Sequence, residues 1–102
     1  MDQSRIEIDF AAAYSQAKKL DDVADEMKRL ANQQLNSTIG KIGSSWKGES
    51  ATAYLNKAEI VRDNITQTAQ SLASIAASIR SDAQRIYNAE KAALEIAKTR
   101  NT

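Results

Sequence analysis

Few side chains in this chain of 102 residues are equipped for chemistry. It contains no Cys and no His, so it offers no thiolate and no Ser–His triad, and it lacks the commonest metal ligand. Ser44 and Ser45 beside Lys47 are the ingredients of a serine–lysine nucleophile. Neither an oxyanion-hole motif nor a pocket-forming sheet accompanies them. Asp21, Asp22, Asp25 and Glu26 gather carboxylates but lack the Gly and the spaced oxygens of a calcium loop. Gly40-Lys-Ile-Gly43 has the spacing of an RNA-binding GxxG loop without the strands or basic groove that such a loop needs. The reading is a protein with no enzymatic site, no cofactor and no metal. What remains is recognition. The only Trp, in Trp46-Lys47-Gly48, stands among the only three glycines, Gly40, Gly43 and Gly48. An indole at a bend suits an interaction hot spot, and it equally suits filling the open end of a helical bundle.

Those residues need elements to hold them. No Pro interrupts the chain, and glycine occurs only near its middle. From Phe10, apolar or small residues recur in steps of three and four through Tyr14, Ala17, Leu20, Ala24, Met27, Ala31, Leu35, Ile39 and Ile42, which is the helical period. Asp9 is a candidate N-cap, with Ser4 and Glu7 as a rival capping box. A second segment is a heptad repeat through Tyr54, Ala58, Val61, Ile65, Thr68, Leu72, Ile75 and Ile79. It slips at Ala83 and resumes at Ile86. The expected elements are helix 1 over about 9–42, a turn over about 43–49 and helix 2 over about 50–97.

One antiparallel register serves both segments. It sets Phe10 opposite Ala83, Tyr14 opposite Ile79, Leu20 opposite Leu72, Met27 opposite Ile65, Leu35 opposite Ala58 and Ile39 opposite Tyr54. The fold class expected is all-α: a single domain over 1–102 built as an antiparallel two-helix hairpin. Its core would comprise Phe10, Tyr14, Leu20, Met27, Leu35, Tyr54, Val61, Ile65, Leu72, Ile75 and Ile79. Ordering a chain of this size costs on the order of 100–200 kcal/mol of conformational entropy. One seam rarely offsets that, so dimerisation into a four-helix bundle is expected. In this register helix 1 ends before it can cover anything after about Gln84, leaving an overhanging C-terminal tail whose apolar stripe calls for an external partner.

The whole chain resembles the Trp-x-Gly (WXG) family of early-secreted-antigen-like proteins of type VII secretion. The matching features are its length, Trp46-Lys47-Gly48 at the bend between two helices, and the small-residue run after Glu49 that ends in Tyr54. The resemblance implies a helical hairpin that forms homodimers, or heterodimers with a related helical protein. It implies export from a Gram-positive bacterium without a cleaved signal peptide, through a membrane machine driven by a type VII export ATPase, and in some members the escort of a larger secreted toxin. It also implies a bipartite export signal: the Trp46 and Gly48 turn beside a C-terminal Tyr-x-x-x-Asp/Glu. Here Tyr87 is followed four places later by Lys91, and Glu90 sits one place early. Residues three and four apart share a helix face, so Glu90 is the candidate acid beside Tyr87.

Charge and hydropathy agree with that class. Lys and Arg number 14 against 13 Asp and Glu, a net +1, which gives no basic face for nucleic acid. No apolar run reaches a membrane span, and the acidic start does not read as a secretory signal. The expected role is a secreted substrate or escort of a type VII system, cytoplasmic before export. The alternative is a cytoplasmic helical adaptor, a coiled-coil oligomerisation module with no export.

Overall fold

The computed structural model describes residues 3–100. Helix α1 spans Gln3–Arg29, a π-helical segment spans Leu30–Leu35, α2 spans Asn36–Ser45 and α3 spans Glu49–Arg100. There is no strand among the described residues. The fold is an all-α helical hairpin, and the chain reverses once, at Trp46–Gly48. It divides into two compact units, Met1–Asp21 with Ser74–Thr102, and Asp22–Ala73. Each is an antiparallel pairing of one stretch before the bend with one stretch of α3.

The bend lies later than the glycines suggest. Gly40 and Gly43 sit inside α2, and neither has a conformation that demands glycine. Only Gly48 does, with φ +114°, a region that L side chains rarely adopt. The helix before the bend therefore continues to Ser45 rather than stopping near residue 42.

The start is also different. Asp9 is not an N-cap, because α1 passes through it from Gln3 and Asp9 pairs instead with Arg5 at 3.5 Å. The extra turns are held by Ile6, only 2% exposed, which lies four residues before Phe10 and extends the same apolar stripe.

A later bend displaces the pairing by about one helical turn. In the unit of residues 1–21 and 74–102, Phe10 meets Tyr87 rather than Ala83, with ring centroids 4.6 Å apart. Asp21 meets Arg80 at 2.8 Å. Ile6 shares a groove with Glu90, Ala93, Leu94 and Ala97. Tyr87, Glu90 and Leu94 of the tail after Gln84 are thus partly buried against α1, while Ile86 and Ile96 stay at least half exposed.

The seam of α3 also differs from the expected one. Ile65, Leu72 and Ile79 face inward as the heptad requires, partly buried. Tyr54, Val61 and Ile75 do not; each is at least half exposed. Their following neighbours Leu55, Arg62 and Ala76 turn inward instead. The cause lies across the interface. The least exposed positions before the bend are Ala17, Ala24 and Ala31, and those of α3 include Ala51, Ala69 and Ala76. Alanine against alanine lets two helices approach closely, and larger side chains then fit only along the flanks. Phe10, Tyr14, Leu20, Met27 and Leu35 are partly buried beside this seam, as expected.

In the unit of residues 22–73, the π-helical segment has a visible task. Ala31, Leu35 and Ile39 face inward in consecutive steps of four. Each such step overshoots the α-helical period by about 40°. The wider turn over Leu30–Leu35 absorbs the excess and keeps Leu35 on the packed side. Asn36, next in sequence, is left on the opposite flank, where it accepts a hydrogen bond from Arg62 at 2.8 Å.

Candidate functional site

Two clusters hold the residues singled out by sequence. Trp46 and Gly48 belong to the unit of residues 22–73, and Tyr87 and Glu90 belong to the other.

At the bend, the last carbonyls of α2 need partners because no further helical turn supplies them. The Trp46 backbone N–H donates to the Ile42 carbonyl at 2.9 Å, and the Lys47 ammonium donates to the Gly43 carbonyl at 3.1 Å. Ser44 and Ser45 both donate their hydroxyls to the Lys41 carbonyl. These contacts engage Ser44, Ser45 and Lys47 alike in closing a helix end. Trp46 then leaves the helix in an extended conformation, φ −120° and ψ 122°. Gly48 turns the chain with its positive φ, and its carbonyl accepts the first bond of α3 from the Thr52 N–H at 3.0 Å. The indole rests against the Tyr54 ring at 5.8 Å between centroids but stays 46% exposed. The bend therefore fixes Trp46 by its backbone and one aromatic neighbour, and presents the rest of the ring to solvent.

Beside Tyr54 the same unit carries an apolar groove of about 290 Å³, lined by Leu35, Tyr54, Lys57, Ala58 and Val61. Two of its walls, Tyr54 and Val61, are heptad residues left exposed outside the alanine seam. Val23, Leu30 and Ile60 are further exposed apolar side chains of this unit.

The second cluster centres on Tyr87. Its ring packs on Phe10, which in turn lies 4.5 Å from the Tyr14 ring. Its hydroxyl donates to Glu7 Oε1 at 2.8 Å. Gln3 donates to the same oxygen, and the Lys91 ammonium lies 4.0 Å from it. The acid that accepts the Tyr87 hydroxyl is Glu7 of α1. Glu90 lines a groove with Ile6, Phe10 and Tyr87. The hydrogen bond to Glu7, then partial desolvation and the carboxylate's charge, raise the Tyr87 phenol above its ordinary value. Sequence reasoning placed Glu7 only in a possible capping box. The signal that could have found it was the helical spacing of Gln3, Glu7 and Phe10, once Ile6 was taken as core.

Neither cluster resembles a metal centre, and no group of His, Cys, Asp or Glu among the described residues is placed to hold one. No helix among the described residues is long and apolar enough to cross a membrane. In comparison with known proteins, a family described as proteins of 100 residues with WXG matches residues 5–91. That span takes in both clusters. No curated protein and no solved structure matches the chain.

Proposed function

Because the chain belongs to the WXG100 family, whose members are related to type VII secretion and generally form dimers with partners, we propose that it is a secreted substrate or escort of a type VII system and acts as a dimer of helical hairpins. It carries out no catalysis; its work is packing, recognition and passage out of the cell. The observation that carries the reading is the presentation of Trp46: a large aromatic ring set against Tyr54 at the bend between α2 and α3 and nearly half exposed. Trp is among the residue types enriched in binding hot spots.

The dimer uses the apolar flank of residues 22–73. The groove walled by Leu35, Tyr54 and Val61, with the exposed Leu30 and Val23, is the surface a second hairpin covers in a four-helix bundle. The partner is a second copy or a related helical chain. In that dimer the Trp46 turn of one chain and the Tyr87 region of the other form a composite docking site for the export ATPase, and an escorted toxin would travel with it.

The test is export of Trp46→Arg from cells carrying the secretion system. The variant accumulates inside while its far-UV circular dichroism remains that of the helical parent. Secretion at the parental level would remove Trp46 from the docking site.

A further inference from the structure

Resting on this export reading, we infer that the C-terminal half of the recognition site is a tertiary cluster, Glu7–Tyr87–Lys91, whose acid is lent to α3 by α1. Three observations carry it. First, the Tyr87 hydroxyl donates to Glu7 Oε1 at 2.8 Å, joining residues eighty positions apart. Second, the residue four places after Tyr87 is Lys91, whose ammonium approaches the same oxygen at 4.0 Å and lies 5.7 Å from the Tyr87 ring centroid. Third, the cluster is accessible: the Glu7 and Lys91 side chains are 48% and 37% exposed. A partner therefore meets a phenol, a carboxylate and an ammonium fixed side by side.

The arrangement has a consequence that a linear signal lacks. With Tyr87 and Lys91 alone, α3 presents a phenol and a cation. The carboxylate that accepts the phenol's hydrogen arrives only when α1 is paired against α3, because Glu7 lies in α1, in the turn that Ile6 anchors. The partner's surface thus distinguishes a paired hairpin from an unpaired helix. Its complementary chemistry is a cationic donor for the carboxylate beside an apolar contact for the ring edge of Tyr87, since a charge-assisted bond to a carboxylate is the strongest single contact on offer. Glu90 lines a groove with Ile6, Phe10 and Tyr87 but does not accept the Tyr87 hydroxyl, so it stands beside the hydrogen-bonded cluster rather than in it.

The experiment compares export of the full chain in four forms: parent, Glu7→Gln, Glu90→Gln and Trp46→Arg. Circular dichroism establishes that each is helical. Glu7→Gln lowers export about tenfold, the scale of one charge-assisted hydrogen bond. Glu90→Gln exports as the parent does, because it leaves the acceptor of the Tyr87 hydroxyl in place. Unchanged export of Glu7→Gln overturns the inference, and so does an equal loss of export for Glu90→Gln. Trp46→Arg separates the two levels. If it exports normally, the export reading fails and takes this inference with it. If it is retained while Glu7→Gln exports normally, only the borrowed acid is refuted.

Discussion

Tyr87 gives its hydroxyl hydrogen to Glu7 across the helix pair, at 2.8 Å, while its ring lies on Phe10. One side chain of α3 is thereby fixed at two points to the first turns of α1. The register of this unit follows from that contact, and so does the coverage of the C-terminal segment.

The phenol reports on its carboxylate. Hydrogen bonding to Glu7 favours the protonated form and raises the Tyr87 pKa. A group raised in the folded state adds stability below its unfolded value, about 10 for Tyr, and that contribution fades as pH climbs through the folded value. Subtracting the alkaline absorbance titration of Tyr87→Phe from that of the parent isolates this phenol, and its midpoint lies above 10. Glu7→Gln moves the midpoint down.

Glycine substitutions at the bend have opposite signs. Gly48→Ala forces a side chain into positive φ and costs about 1–3 kcal/mol. Gly40→Ala, inside α2 with nothing near the new methyl group, adds about 0.5–1 kcal/mol. Urea unfolding followed by circular dichroism measures both.

Ile6→Ala tests the early start of α1. Ile6 is buried at 2% exposure, and truncating such a residue costs about 2–5 kcal/mol. Beyond the loss of global stability, amide exchange at residues 3–10 and 87–94 rises more than at the bend.

Val61 lies on the apolar flank at 52% exposure, so the single chain gains little by covering it. Val61→Asp leaves helicity intact at high dilution and shifts self-association by about tenfold or more, because an unpaired charge is placed in an apolar interface. Sedimentation equilibrium of parent and variant decides. Equal association constants would move the dimer contact off this flank.

How much of this was legible in the sequence depends on the element. Helix identity and antiparallel pairing were, because the period of apolar residues from Phe10 to Ile42 and from Tyr54 to Ile79 admits little else. The register was not, because three glycines near the middle leave the exact bend open, whereas only Gly48 takes a glycine conformation. Half of the α3 seam was misplaced for a related reason. Tyr54, Val61 and Ile75 are larger than Ala51, Ala69 and Ala76 and carry more apolar surface, but a heptad of large residues is equally readable as the outer face of a close-packed alanine seam. Periodicity alone does not say which of two adjacent stripes goes inside. Glu7 escaped notice because its partner lies eighty residues away.

Ala17, Ala24 and Ala31, with Ala51, Ala69 and Ala76, are almost completely buried along the paired helices. A methyl group is the smallest apolar side chain, so such a seam removes little hydrocarbon from water for the length of backbone it aligns. The hairpin is thus defined in shape more firmly than it is held in energy. Small residues dictate how near the helices come, while much of the chain's larger apolar surface is left to be satisfied by whatever docks on it. A chain built in this way is easily separated when alone and strongly reinforced when partnered, so its folded lifetime is in large part a property of the company it keeps.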